Sequence, residues 1–296
     1  MQKNQPKSLV MLLLSMIIYG SIGVFRKTIP LSSAALACFR GVTGAALLLL
    51  AAAVQRRKVF YRIGWKKLLW LALSGALIGF NWILLFEAFR FTTVATATLC
   101  YYMAPTIVVL LSPLVFGERI TLKRGVCAGV SLLGMVFVSG FVENGLPTLS
   151  EAKGVLLGLG AALLYAAVVI LNKKLPGVDA YEKTILQLLF ASVALVPYLL
   201  LLREPVFVPL TPFAFLMLLI VGFVHTGVAY ALYFGSMDGL RAQTVAVLSY
   251  LDPVTALLLS ALVLRERLTV FGMIGAALIL GAAAVGELLP QQKSAS

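Results

Sequence analysis

Ten apolar stretches, each close to the ~20 residues that cross hydrocarbon as a helix, alternate with short polar connections along this chain. They run over residues 9–25, 34–54, 68–86, 94–116 and 125–142 in the first half. In the second half they run over 154–171, 184–202, 212–234, 244–264 and 270–288. Apolar positions within each stretch are nearly continuous, whereas the strands of a membrane barrel would alternate in segments of about 10 residues. A lipid-exposed backbone must satisfy its own polar groups, which leaves the helix as the spanning structure. The pattern predicts an all-α membrane protein of ten transmembrane helices.

Composition narrows the class further. Hydrophobic residues make up 61% of the 296 positions and charged ones 12%, against about 45–50% and about 25% in soluble domains. Mean hydropathy is +1.02. An ordinary soluble domain and a disordered chain, which needs the opposite balance, are both excluded. Cys38, Cys100 and Cys127 lie inside apolar runs, so neither a disulfide framework nor a metal site is expected, and no cofactor is called for. Lys3 and Lys7 precede the first run and Ala35-Leu36-Ala37 mimics a cleavage site. That run exceeds the ~7–15-residue core of a signal peptide, and the mimic falls inside the second span, so the segment is read as retained.

The net charge of +13 is informative through its placement. With the N-terminus set inside, 16 Lys and Arg fall on the cytoplasmic side and 7 on the other, Arg40 lying within a span. The densest run, 55–67, carries six positive charges and no acid. Because positive loops stay on the cytoplasmic side, a multi-pass protein of the cell membrane with both termini cytoplasmic is expected. The basic excess is read as a contact with anionic lipid headgroups, with no nucleic acid as partner.

The chain repeats itself. Over residues 102–121 against 250–269, a shift of 148, ten of twenty positions are identical, among them Tyr102/Tyr250, Pro105/Pro253, Ser112/Ser260, Glu118-Arg119/Glu266-Arg267 and Thr121/Thr269. A shift of 146 places Tyr19 on Tyr165, Lys27 on Lys173 and Pro30 on Pro176. Two units follow, 9–142 and 153–289, with five spans each. An odd number makes the second copy enter from the opposite face. The expected architecture is therefore a pair of inverted five-helix repeats (5+5), an arrangement of secondary transporters with a substrate site near the bilayer midplane.

These same features resemble the EamA family of the drug/metabolite transporter superfamily. The resemblance covers nearly the whole chain. It rests on an aromatic and a proline in the fourth helix of each unit, and on a Glu-Arg-x-Thr loop leading into a Gly/Ala-rich fifth helix (Gly117-Glu118-Arg119-Ile120-Thr121 and Arg265-Glu266-Arg267-Leu268-Thr269). It implies transport of small metabolites, amino acids among them.

Candidate chemistry concentrates in mid-span. Pro105 and Pro253 sit inside the fourth and ninth helices, where each removes an N–H and frees a carbonyl; their matched positions suggest paired gating kinks, against simple packing kinks. Asp252 precedes Pro253, and its repeat counterpart is Ala104. A carboxylate at that depth faces a cavity, a base or a proton, so Asp252 is a candidate for an ammonium group or for coupling. Arg40 is a candidate for a substrate carboxylate, with snorkelling as its alternative. Glu87, three residues before Arg90, is a coupling candidate or half of a surface pair. His225 is the only histidine, a coupling candidate or a neutral side chain bonded to a neighbouring helix. Asn81 should face protein or water. With Trp82, Tyr102, Tyr230 and Tyr250 it completes a candidate substrate lining able to stack planar groups or hold a cation; interfacial aromatic belts are the alternative. Glu118-Arg119 and Glu266-Arg267 are read as contacts that hold the fold. Small-residue stripes at Gly154, Gly158 and Ala162, and at Gly125 and Gly129, are read as close helix contacts.

The expected activity is a secondary transporter, an exporter of amino acids or related amphipathic compounds. Arg40 and Asp252 suit a zwitterion and the tyrosines an apolar side chain, with a proton as a candidate second partner. The alternatives are an importer or facilitator of another metabolite or organic cation, or a non-transporting sensor. An enzyme is not expected, with one histidine, no Cys/His cluster and no catalytic residues legible, and there is no phosphate-binding loop for ATP.

Overall fold

Where helices begin and break follows from a few polar and proline positions. In the computed structural model the first unit comprises α1 (Gln5–Thr28), α2 (Ser33–Val54), α3 (Trp65–Phe91), α4 (Val94–Tyr101), α5 (Ala104–Phe116) and α6 (Leu122–Val138). The second comprises α7 (Leu149–Lys173), α8 (Ala180–Leu201), α9 (Pro212–Gly222), a π-helical turn (Phe223–Val228), α10 (Ala229–Met237), α11 (Leu251–Leu262) and α12 (Val270–Leu288). The structure describes residues 5–56, 63–117, 120–139, 142, 148–173, 175, 177–201, 203, 209–237, 240, 244–245 and 248–288. Glu118, Arg119 and much of the basic run at 55–67 lie outside them, as do Lys3, Lys174, Arg241 and Lys293. Side-chain caps set several starts: Ser32, Thr93 and Thr211 accept from the N–H of Ala35, Thr96 and Ala214, each satisfying a first-turn donor.

The fold is an all-α membrane fold of ten spans, with two differences from the expected continuous helices. The fourth span is broken between α4 and α5, and the ninth turns at Ser249 and Tyr250 before α11. Proline is the reason. Pro105 and Pro253 stand in the first turn of a new helix, where an N–H would have no intrahelical partner anyway. The kinks expected inside continuous helices are instead breaks.

Inversion of the halves is visible in which helix ends share a space. One cavity is lined by Phe116 at the close of α5, Arg124 in the first turn of α6, Lys173 at the close of α7 and Gly286 near the close of α12. At the opposite end a second pocket is lined by Thr93 before α4, Ser139 after α6, Glu151 in the first turn of α7, and Thr269 and Gly272 around the start of α12. So α6 and its repeat mate α12 run in opposite directions.

Packing between the halves is correspondingly reciprocal. α3 lies on α7 and α10 on α1; α3 lies on α8 and the π-helical turn on α2; α1 lies on α11 and α4–α5 on α7; α6 lies on α12 and α2 on α8. Gly134 and Gly275 bring α6 and α12 into backbone contact, since a Cβ on Gly275 would stand 2.6 Å from the Gly134 carbonyl. Of the small-residue stripes, Gly154 and Gly158 do pack, against Thr92 and Cys100. The stripe at Gly125 and Gly129 meets little or nothing; α6 turns that face away. Phe86, Phe89, Leu36, Leu48, Ile185 and Leu195 form the buried centre. Large apolar side chains such as Leu114 and Leu201 point outward, where hydrocarbon would meet them.

Candidate functional site

The two helix breaks face one another. Tyr102 closes α4, Tyr250 precedes α11, and their rings stand 6.1 Å apart. The Tyr102 hydroxyl donates to Oδ2 of Asp252 across 2.8 Å. Asp252 lies in the first turn of α11, where the helix N-terminus favours negative charge. Tyr101 extends the aromatic wall, 6.0 Å from Tyr102 and 5.4 Å from Tyr165 on α7. These residues form the deep end of a cavity of about 450 Å³ that reaches Phe116, Arg124 and Lys173 at the helix ends. Both its volume and its mixture of apolar walls with few polar groups suit a small-molecule pocket.

Of the candidate binding, coupling and kink residues, Asp252, Tyr250, Tyr102 and Pro105 line this cavity, whereas Arg40, Asn81, Trp82, Tyr230, Glu87, His225 and Pro253 do not. Arg40 is buried. Its Nε donates to Thr226 at 3.2 Å, and its guanidinium lies 4.3 Å from the Trp82 ring centre and 5.4 Å from that of Phe86. Snorkelling is thus replaced by a seat inside the bundle. Among the described residues no carboxylate lies within 4.0 Å of it. Tyr19 and Tyr101 are electrostatic neighbours of both Arg40 and Asp252, and the Tyr19 hydroxyl is buried without a hydrogen-bond partner. Tyr230 packs edge-on to Tyr19 at 5.6 Å. Asn81 donates to the Ala161 carbonyl, tying α3 to α7, and its side-chain oxygen is unpartnered.

The remaining candidates sit elsewhere. Glu87 accepts from Ser33 at 2.6 Å and from Arg90 at 3.1 Å, with Arg26 donating to Ser33 in turn; this network lies where α1, α2 and α3 meet, away from the cavity. His225 shares a 2.9 Å hydrogen bond with Ser21 of α1, its other nitrogen facing the Ile220 carbonyl and its ring 4.6 Å from Phe25. Pro253 is buried behind Asp252. No group of three His, Cys, Asp or Glu capable of holding a metal occurs among the described residues.

Sequence reasoning did not assign Tyr165, Ser249, Lys173 or Arg124 to the cavity. One signal was available: Tyr19 and Tyr165 coincide in the repeat, and both belong to this aromatic assembly. Lys173 carries the same mark through Lys27, whereas Arg124, which meets Gly272 in the repeat, carries none.

Residues 6–140 and 152–285 each match the EamA-like transporter family. An uncharacterized transporter of Bacillus subtilis (strain 168), YxxF, is 27% identical over 296 residues, covering 99% of this chain and 93% of that protein. An uncharacterized transporter of Archaeoglobus fulgidus is 29% identical over 194 residues, 65% of this chain and 67% of its own length. A solved chain described as "Crystal structure of protein" shares the fold, with a TM-score of 0.65 at 21% identity over 96% of this chain and 97% of that one.

Proposed function

As a member of the EamA-like transporter family, this chain is a multi-pass membrane transporter of small molecules rather than an enzyme, and we propose that it exports amino acids or related amphipathic metabolites across the cell membrane. The observation that carries this reading is the cavity itself. Asp252 and Tyr102 close it in mid-bundle, and its mouth lies at the end bearing Arg124 and Lys173. With both termini cytoplasmic, that mouth faces the cell interior, where an exporter collects its substrate. The basic connections at the same end then rest on anionic headgroups.

In this reading Asp252 receives the substrate ammonium, and Tyr101, Tyr102 and Tyr250 stack against the side chain. Arg40 supplies the charge for the carboxylate. A buried guanidinium without a carboxylate beside it is costly, and an arriving anion offsets that cost. Arg40 stands off the present lining, so its engagement accompanies rearrangement of Tyr19 and Tyr101. Inverted repeats exchange conformations to open the site alternately to either face. Asp252, the ionisable group at the deep end, is the group that trades substrate for a proton; His225 and Glu87 are already engaged by Ser21 and by Ser33 and Arg90.

The test is counterflow of labelled amino acids and amines in proteoliposomes, with and without a pH gradient. Accumulation that Asp252→Asn abolishes supports the reading; no accumulation above protein-free vesicles for any of them overturns it. A second reading, an organic-cation carrier, is favoured by the tyrosines around Asp252. It predicts uptake of quaternary amines independent of Arg40.

A further inference from the structure

Glu266 joins the two repeats at the end of the molecule opposite the cavity mouth. Its Oε2 accepts from the backbone N–H of Val94, the first residue of α4, at 2.8 Å, and from the Ser260 hydroxyl at 2.5 Å. Its Oε1 stands 3.6 Å from Nζ of Lys27 at the end of α1. One carboxylate of the second unit thereby holds two elements of the first. A hydrogen bond to an orphan N–H at a helix N-terminus is charge-assisted and reinforced by the helix dipole.

The loop carrying Glu266 is built to aim it. Arg265 adopts a left-handed backbone, φ 56°, which is unfavourable for a residue with a side chain. The chain then folds back so that the Glu266 N–H donates to the Ser260 carbonyl at 3.0 Å. Gly117, the repeat counterpart of Arg265, has φ 66°, so the turn itself is duplicated. Ser260 donates to Glu266, and its counterpart Ser112, on the cavity wall, donates to the Val109 carbonyl of its own helix.

From these relationships we infer that Glu266, Lys27, Ser260 and the α4 N-terminus form a latch that keeps the end remote from the cavity closed, and that its release is required for opening there. Separating α1 and α4 from the α11–α12 loop breaks the contacts of Glu266 with Val94 and Lys27 at once, while Ser260 keeps the carboxylate aimed from its own side, and opening that end requires this separation. The adjoining pocket of about 210 Å³, lined by Thr96, Leu99 and Arg267, is the space that would widen. The latch serves the alternating exposure proposed above but does not depend on which substrate is carried.

The test therefore uses no substrate. In purified full-length protein with Cys38, Cys100 and Cys127 replaced by Ala, a single reporter cysteine is placed at Leu99 in the remote pocket or at Val109 in the cavity. Reaction with a hydrophilic maleimide is then timed. Glu266→Gln is expected to speed Leu99→Cys labelling roughly tenfold, as loss of one charged hydrogen bond implies, and to slow Val109→Cys labelling. A monodisperse Glu266→Gln protein with unchanged rates at both reporters overturns the proposal. If that variant is not monodisperse, Lys27→Met and Ser260→Ala, each removing one contact, are read in the same way. Faster Leu99→Cys labelling in either supports the latch, and unchanged labelling in both overturns it. Failure of counterflow in the wild type would count against the transport reading alone.

Discussion

Tyr102 and Asp252, 150 positions apart in sequence, meet in a 2.8 Å hydrogen bond at the point where the broken fourth and ninth helices face each other. The phenol belongs to one repeat and the carboxylate to the other, so this bond forms only when both halves are assembled. Tyr102→Phe removes the donor and is expected to reduce transport about tenfold, in line with one hydrogen bond to a charged group. Asp252→Asn removes the charge and should bring counterflow to background. Initial-rate counterflow at several substrate concentrations checks both; equal rates in all three proteins would remove Asp252 from the site.

Arg40 lies against the Trp82 face with Nε on Thr226. Planar stacking is specific to the guanidinium, so Arg40→Lys should not restore what Arg40→Gln removes. Both are expected to lose transport of amino acids while keeping that of amines lacking a carboxylate. Counterflow of the labelled amino acid and, separately, of its labelled decarboxylated analogue measures this. Equal loss for both compounds would mean that Arg40 acts through the fold.

Gly20 brings α1 against the start of α11. A Cβ there would collide with the Asp252 carbonyl and stand 2.6 Å from Cβ of Thr255. Because overpacking of this kind costs roughly 1–3 kcal/mol, Gly20→Ala should lower thermal stability and displace Asp252. Transport should fall although Gly20 does not line the cavity. A melting curve together with counterflow tests this; wild-type values for both would show that α1 adjusts freely.

Gln187 donates to Ser74 at 2.6 Å and to Asn172 at 2.8 Å, joining α8 to α3 and α7. Polar contacts between membrane helices average about 0.6 kcal/mol, with a maximum near 1.7. Gln187→Leu is expected to cost about 1 kcal/mol without changing substrate preference. A double-mutant cycle with Ser74→Ala, read by thermal unfolding in detergent, should show non-additivity; strict additivity would mean that the bond contributes nothing.

Arg265 holds a left-handed backbone where its repeat counterpart is glycine. Arg265→Gly should raise stability by up to about 1 kcal/mol, because only the side chain makes that conformation costly. A lower melting temperature would indicate that the arginine side chain contributes more than the strain it imposes.

Sequence by itself determined the number of spans, the duplication and the inversion. Bilayer thickness sets helix length locally, and an odd span count reverses the second copy whatever the packing. It also marked Asp252, Tyr102 and Tyr250, because a carboxylate or an in-register aromatic is conspicuous in an apolar run. Tertiary structure alone decided that Pro105 and Pro253 start new helices, that Arg40 lies behind the cavity wall, that Glu87 and His225 have other partners, and that Glu266 reaches Val94. The seats of Arg40, His225 and Glu266 depend on how two five-helix units settle against one another, and that of Glu87 on how α1, α2 and α3 meet within one. Such contacts join residues up to some two hundred positions apart and leave no trace in local hydropathy.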